Sequence, residues 1–309
     1  MTTATIDSFL LRHAPAEPQP VQPTLLRARD SVRQALTELS HVPDLSLDKE
    51  WTWRGHDNAD VRYGLYRQYE ALEDTRARIR PQLAALAATE SPARPLVASA
   101  GAARWDLHGL LASLGEADLD RDPANGEWTL RQTLAHIVNG QRAYGWFTAW
   151  WLSRQDSSAD DFPPRVPEEV AAQLPAEESD GVGSLEDVGR RFDDIVDLSA
   201  GTLGNLSDDQ LAARARWAGM PVDVRFRINR WSSHLREHTI QVEKTLGFIG
   251  RPTTEVDRLL RFIAAAYGRL EEEVFMLADL PVVADSTRQI ASVAADIERD
   301  ARQVRAASG

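Results

Sequence analysis

Apolar residues recur at intervals of three and four along most of the chain. The interval is seen in Leu130, Leu134 and Ile137, and again through the run LLRFIAAAYGRL, which ends at Leu270. Spacing of this kind gathers apolar side chains on one face of an α-helix. Strand-like alternation is limited to a short extended piece near residues 220–224. The pattern therefore predicts an all-α fold.

Two helix starts are marked by capping residues. Thr129 is followed three residues later by Gln132, and Ser184 is followed in the same way by Asp187. In such a capping box, the hydroxyl and the later side chain satisfy backbone N–H groups that the first helical turn leaves without partners. We therefore predict one helix that begins after Thr129 and another that begins after Ser184.

Prolines mark two breaks in this helical pattern. Residues 14–23 contain four prolines and predict a disordered or extended lead that covers residues 1–23. Residues 155–183 are acidic and also contain four prolines, so we predict a long loop there. Loops of this length are often lids or binding loops, and a solvated crossover is an equally good interpretation.

The composition limits the classes of protein to which the chain can belong. Its 309 residues, 43% of them hydrophobic, can bury one large core or two ordinary ones. The sequence has no stretch of about 18 uninterrupted apolar residues, so no membrane span is predicted. The N-terminus lacks the basic start and apolar run of a secretory signal. We therefore expect a cytoplasmic protein with no membrane partner.

Cysteine is absent from the sequence, and the net charge is −12. Disulfides, thiolate ligands and a cysteine nucleophile are therefore excluded, and any metal ion must be held by nitrogen and oxygen. The negative charge repels phosphate backbones, and no basic cluster interleaved with aromatic residues compensates for it. We therefore expect no nucleic-acid partner, and we expect a small-molecule substrate.

Three histidines are the strongest candidates for chemistry. His234 and His238 are four residues apart on one predicted helix, so both imidazoles lie on the same face, and His136 lies on the helix that begins after Thr129. Three imidazoles that converge on one point can bind a divalent metal ion and leave a coordination position open for water or substrate. Taken alone, the pair is also compatible with a solvated helix face, and His136 with an ordinary core or surface histidine.

The segments around these histidines carry a family resemblance. EWTLRQTLAHI and HLREHTIQVEKTL closely resemble segments of the DinB and thiol-transferase superfamily, and the resemblance covers about residues 100–250. It implies a four-helix bundle in which a histidine of the second helix and a His-x3-His pair of the fourth hold a metal ion. All three ligand positions are filled here, by His136, His234 and His238. The resemblance further implies Zn or Ni as the metal and a small thiol such as mycothiol as co-substrate.

The activity that the resemblance implies is metal-dependent transfer of a small thiol, or thiol-dependent isomerisation. Its substrate would be an electrophilic small molecule of specialised metabolism or detoxification. Substrate contacts would come from side chains at the mouth of the bundle, about one or two helical turns from the histidines. The candidates at these positions are Asn139, Tyr144, Arg230 and Trp231.

Two further groups near the expected site have less specific interpretations. Arg227 and Arg230 are candidates to hold an anionic group, although a solvated or ion-paired arginine is the more common arrangement. The aromatic run of Trp146, Phe147, Trp150 and Trp151 is interpreted as core or interface packing and not as a binding site.

A weak internal repeat adds a second organisational signal. The segment that ends in EWTWR at Arg54 is similar to the segment that ends in EWTLR at Arg131, but the position aligned with His136 is Ala59. We interpret the flanking helices as two halves of a second, degenerate bundle without a metal site; decorating helices are the alternative. The predicted division is a lead (1–23), an N-terminal helical segment (24–99), the metal-binding bundle (100–250) and a C-terminal segment (251–309) that packs with residues 24–99.

Two other interpretations of the histidines remain open. HLREH also satisfies the H-x-x-E-H pattern of inverted zinc proteases, in which Glu237 would be the general base. The third ligand would then be one of the glutamates at 271–273, and His136 would have no role. The other interpretation is a non-catalytic bundle that holds a metal ion for a structural or stress-related purpose. A homodimer is compatible with each of these.

Overall fold

The structure of the protein, a computed structural model, describes residues 8–87, 89–124, 126–158 and 162–309. Helices account for most of these residues, and the sheets among them are two short hairpins, which confirms the all-α prediction. The chain divides into two compact units. The first consists of Met1–Pro20, Glu90–Gly101 and Glu116–Thr245, and the second of Val21–Thr89, Ala102–Gly115 and Leu246–Gly309.

The elements are numbered along the chain. The helices are α1 (Ser8–His13), α2 (Pro23–Ser40), α3 (Val61–Ala87), α4 (Arg94–Leu111), α5 (Glu116–Leu119), α6 (Leu130–Leu152), α7 (Glu168–Ala171), α8 (Glu177–Asp180), α9 (Leu185–Leu203), α10 (Asp208–Leu211), α11 (Val224–Phe248), α12 (Glu255–Glu272) and α13 (Pro281–Ser308). The strands are β1 (Glu50–Trp53), β2 (His56–Asp60), β3 (Arg214–Trp217) and β4 (Met220–Asp223), and a 3-10 turn spans Asp44–Ser46.

The first unit is a helical bundle in which α6 packs along α9. Thr129 caps the start of helix α6, and its Oγ1 accepts a hydrogen bond from the N–H of Gln132 at 3.2 Å. Gln132 Oε1 accepts one in return from the N–H of Thr129 at 2.9 Å. The same reciprocal arrangement joins Ser184 and Asp187 at the start of α9. Both predicted helix starts are therefore confirmed.

Helix α1 differs from the disordered or extended lead predicted for residues 1–23, whereas residues 14–22 form neither helix nor strand. Phe9 stacks on Trp146 of α6 with ring centroids 4.7 Å apart, and Leu10 is fully buried. Gln19 donates its N–H to the carbonyl oxygen of Gly201 at 2.9 Å, an approach that a side chain at position 201 would block. Burial of two apolar side chains and this backbone bond fix the segment from residue 8 onward. Residues 1–7, which the predicted lead also included, lie outside the described residues.

The β3–β4 hairpin confirms the extended piece predicted near residues 220–224. The two strands pair antiparallel and are joined by Ala218 and Gly219. Both joining residues have positive φ, 50° and 85°. Two successive residues in this conformation are typical of the tight turn that matches the twist of paired strands.

The β1–β2 hairpin is not anticipated by the hydrophobic pattern. Its two-residue turn, Arg54 and Gly55, has φ values of 50° and 81°. Ala59, which aligns with His136 in the internal repeat, lies in β2 and not in a helix. The position of the repeat that aligns with His136 is therefore not helical.

The second unit joins helices from both ends of the chain. Helix α13 packs against α2 and α3, and α12 packs against the same two helices. The N-terminal and C-terminal flanks therefore share one core. That this core is a degenerate copy of a metal-binding bundle remains a prediction.

A buried ionic cluster lies inside the second unit. Glu271 pairs with Arg29, and its Oε2 accepts hydrogen bonds from Arg104 Nη2 at 3.2 Å and from Trp105 Nε1 at 2.6 Å. Burial raises the pKa of Glu271, but the charges of Arg29 and Arg104 outweigh burial and leave that pKa below its ordinary value. The cluster ties α12 to α2 and α4, which are far from it in sequence.

Substitution of Glu271 tests the importance of this cluster. Glu271→Gln is expected to lower the free energy of unfolding of the second unit by about 3–5 kcal/mol, because two buried arginines lose their shared carboxylate. Chemical denaturation followed by circular dichroism measures the change. Glu70→Gln, which removes an exposed carboxylate from α3, is the control and should change the free energy by about 0.5 kcal/mol or less. Similar small changes in both variants would contradict the expectation.

Candidate metal centre

Three imidazoles from two helices meet in the first unit. Helix α6 carries His136, and α11 carries His234 and His238. Their ligand nitrogens all lie within 4.8 Å of one another, and the ring centroids of the α11 pair are 4.3 Å apart. The structure therefore brings together the three histidines that the sequence pattern singled out.

Hydrogen bonds orient two of the three rings. His136 Nδ1 lies 3.0 Å from Glu177 Oε2, and His238 Nδ1 lies 2.7 Å from Gln241 Oε1. Because carboxylate and amide oxygens accept hydrogen bonds, we assign the proton of each ring to Nδ1 and the free lone pair to Nε2. Partners of this kind fix the tautomer and the direction of metal-binding histidines.

His234 is the most deeply buried of the three. Its Nε2 lies 3.1 Å from Nε2 of His238, and its Nδ1 is buried with no hydrogen bond among the described residues. Burial, followed by the charges of His238, His136 and Arg230, lowers the pKa of His234 to about 3. Burial also lowers the pKa of His238. Both imidazoles are therefore neutral at pH 7, which is the form that binds a metal ion.

The donor set fits a divalent metal ion. Nitrogens that bind one tetrahedral ion at about 2.1 Å lie roughly 3.4 Å from one another, and the three histidines occupy a comparable space. Two Nε2 lone pairs at 3.1 Å repel each other unless a cation or a proton lies between them. Imidazole nitrogens suit Zn and Ni. Three protein ligands also leave a coordination position for another molecule.

Glycine at position 140 allows this convergence. A Cβ atom at residue 140 would lie 2.6 Å from Cε1 of His234 and 3.4 Å from both of its ring nitrogens. Ordinary contacts of a Cβ atom are not as short as 2.6 Å, so any larger residue at position 140 would displace the imidazole of His234. Gly140, one turn after His136, is therefore a positioning residue that the sequence pattern did not reveal.

The last part of the predicted long loop contributes to the centre. Glu177, which contacts His136, is the first residue of α8 in this loop. Asn139 Nδ2 donates to the carbonyl oxygen of Pro175 at 3.1 Å and to Asp180 Oδ2 at 3.2 Å. Arg142 Nη2 pairs with Asp180 Oδ1 at 2.8 Å. Helix α6 thus holds the last part of this segment in place beside the histidines.

A pocket of about 450 Å³ lies beside the histidines. Gly140 and Tyr144 of α6 both line this pocket and contact His234, whose ring is 5.2 Å from that of Tyr144. Arg227 of α11 and Trp217 of the β3–β4 hairpin form other parts of its wall. A ligand in the pocket would therefore lie next to the candidate metal ligands.

The four predicted substrate contacts have different surroundings. Tyr144 lines the pocket, and its hydroxyl accepts a hydrogen bond from Trp217 Nε1 at 3.3 Å. Asn139 donates hydrogen bonds to Pro175 and Asp180 of the loop. Arg230 pairs with Glu237 at 2.6 Å, and Trp231 is only 1% exposed and does not line the pocket. The geometry thus brings Tyr144 to the pocket and assigns other contacts to the remaining three.

The aromatic run on α6 packs in the first unit, and two of its residues also line the pocket. Trp146 and Trp150 are buried in the core of the first unit, as their apolar surface predicts. Trp151 is also buried, but it lines the pocket together with the half-buried Phe147. Packing therefore describes the buried tryptophans of the run, and Phe147 and Trp151 in addition form part of the pocket wall.

The inverted-protease interpretation finds little support in the geometry. Glu237, its expected general base, has a side chain that is 58% exposed and paired with Arg230. Glu271, one of the expected third ligands, lies in the ionic cluster of the second unit. His136, which that interpretation leaves without a role, lies among the ligands instead.

Among the described residues, no helix is both long and apolar enough to cross a membrane.

Residues 99–242 match the sequence model of the DinB superfamily. No curated protein and no solved structure matches the chain. The matched segment contains His136, His234 and His238, together with Glu177 and Gln241, which orient two of them.

The role of Gly140 can be tested by metal titration. Gly140→Ala is expected to weaken Zn binding by about tenfold or more, because the added methyl group displaces His234 from its ligand position. Competition with a chromophoric chelator measures the affinity. Gly247→Ala is the control. Gly247 lies on α11, the helix of His234, and a Cβ atom at this position would meet nothing within 4 Å. Unchanged affinity in both variants would show that Gly140 does not position the imidazole.

Proposed function

We propose that this chain, whose residues 99–242 belong to the DinB superfamily, binds a divalent metal ion and activates a small thiol for attack on an electrophilic small molecule. The observation that carries the proposal is the convergence of His136, His234 and His238 beside a pocket. Zn or Ni is the proposed metal, because the donors are neutral imidazoles and the chain has no cysteine.

The groups of the chain prepare the site for this chemistry. A divalent ion, when bound, supplies a positive charge that lowers the pKa of a thiol or water beside it. Glu177 and Gln241 orient the rings of His136 and His238. Tyr144 and Phe147 give the pocket an aromatic wall against which the apolar part of a ligand can pack. These contacts support an enzyme whose metal faces a substrate.

The thiol in this proposal comes from another molecule. The sequence contains no cysteine, so the nucleophile must be a co-substrate such as mycothiol or a similar small thiol. The pocket volume of about 450 Å³ falls within the range of small-molecule sites. Transfer to an electrophile and thiol-dependent isomerisation both fit a site of this size.

A non-catalytic bundle that holds metal for a structural or stress-related purpose is the alternative. A purely structural metal site is normally closed by four protein ligands. Here the described residues supply three histidines, and a pocket lies beside them. This arrangement favours the enzyme.

Metal content tests the ligand assignment. The purified protein is expected to carry close to one divalent ion per chain, and His238→Ala should lose most of it while remaining folded. Because protons compete for imidazole nitrogen and burial lowers the pKa of His234 to about 3, occupancy should fall only when the pH drops well below the usual histidine pKa of about 6.5. Elemental analysis after dialysis measures both effects, with the exposed His41→Ala as the control. Full metal retention by the alanine variants of all three histidines would rule out this site.

Cobalt substitution tests the thiol step. Addition of mycothiol to the cobalt protein is expected to produce a strong sulfur-to-metal absorption band, because the open coordination position accepts the thiolate. The S-methylated thiol, which cannot form a thiolate, is the control ligand. If neither mycothiol nor cysteine changes the spectrum of a cobalt-loaded protein, the non-catalytic bundle becomes the better description.

A further inference from the structure

The pocket beside the histidines continues along the groove between α6 and α11. On α11, Arg227 lies seven residues before His234, so both side chains lie on nearly the same face of the helix. Seven residues correspond to about 10 Å of helical rise. A molecule of modest size that reaches the histidines can therefore also reach Arg227.

Arg227 is a buried cation whose charge has no carboxylate partner in the described part of the chain. Its residue exposure is 6%. Its Nε donates to Thr148 Oγ1 at 3.1 Å, and its Nη1 donates to the carbonyl oxygen of Arg216 at 2.7 Å. These neutral acceptors leave Nη2 without a hydrogen bond among the described residues. The guanidinium is thus held in position with its Nη2 group free to bind another acceptor.

A second arginine of the pocket is similarly unsatisfied. Arg216 lines the pocket, and its Nε is buried with no hydrogen bond among the described residues. The exposed Arg165 lines the same pocket opposite Gly219. The described lining residues include these three arginines and no acidic residue. In a chain with a net charge of −12, this local excess of positive charge is pronounced.

The charge of Arg227 persists at neutral pH. Burial lowers the pKa of Arg227 to about 10, which still lies well above 7. A buried charge without a counter-ion destabilises the folded protein unless something else provides that counter-ion. Because both acceptors that contact Arg227 are neutral, an anion that balances its charge would have to come from a bound molecule.

We propose that Arg227, together with Arg216, binds the carboxylate of a small-molecule ligand that extends toward His234. This inference rests on the proposed function, since it specifies the chemical class of the molecule that the metal-binding pocket accepts. A guanidinium matches the planar, two-oxygen geometry of a carboxylate. The aromatic side chains of Tyr144 and Trp217 would contact the apolar part of the same molecule.

Calorimetric titration with succinate tests this proposal on the metal-free full chain, where binding to a metal ion cannot contribute. At constant ionic strength, wild-type protein is expected to bind one succinate per chain, and Arg227→Met should raise the dissociation constant at least tenfold. Succinamide, an uncharged analogue of similar shape, should not bind. Arg225→Met is the matched control, because Arg225 on the same helix is half-exposed and already paired with Asp208.

Thermal unfolding without ligand provides a second readout. Arg227→Met is expected to melt at a higher temperature than wild type, because the variant removes a buried charge that has no counter-ion. If that variant does not fold, Arg216→Met replaces it in the titration, with the same expected loss of succinate affinity.

Three results would overturn the inference. They are wild-type affinity for succinate in both arginine variants, binding of succinamide as tight as that of succinate, and binding of inorganic phosphate but of no carboxylate.

The inference and the proposed function can be contradicted separately. Absence of succinate binding in a protein that takes up metal would contradict the inference alone, whereas succinate binding in a protein that takes up no metal would contradict the proposed function alone.

Discussion

The close approach of α6 and α11 at Gly140 is the constraint on which the candidate site depends. His234 can lie against α6 only because residue 140 has no side chain. This close packing buries His234, and burial lowers its pKa so that the imidazole stays neutral. A metal ion binds the neutral form of imidazole. Position and protonation state therefore have one common cause. The pocket begins at this point too, since Gly140 also forms part of its wall.

Regular and irregular segments contribute differently to the first unit. The long helices α6 and α11 supply the histidines, whose spacing follows directly from helical geometry. The connecting segments determine what surrounds them. The loop before α9 provides Glu177, and the β3–β4 hairpin provides Arg216 and Trp217. Connections of this kind can change without disturbing the helices, so they are the natural place for ligand selectivity.

The sequence predicts the helices, two capping boxes and the three histidines, because each depends on spacing within a short segment. It does not predict Glu177, which lies 41 residues from His136 and has no local pattern around it. The contact of Gln241 with His238 could have been predicted from the sequence, since Gln241 lies three residues after His238 and so shares its helical face. Helix α1 was missed because the burial of Phe9 depends on Trp146, a partner distant in sequence. Local rules thus identify the ligands, and tertiary contacts identify what orients them.

The ionic cluster of the second unit has a consequence for how the chain folds during synthesis. Arg29 and Arg104 emerge from the ribosome long before Glu271, which is 242 and 167 residues further along. Until then the two guanidiniums lack the carboxylate that they share in the folded protein, and burying them without it is unfavourable. The first unit, by contrast, is complete at Thr245. The metal-ligand helices can therefore assemble on the nascent chain while the second unit still waits for its C-terminal helices.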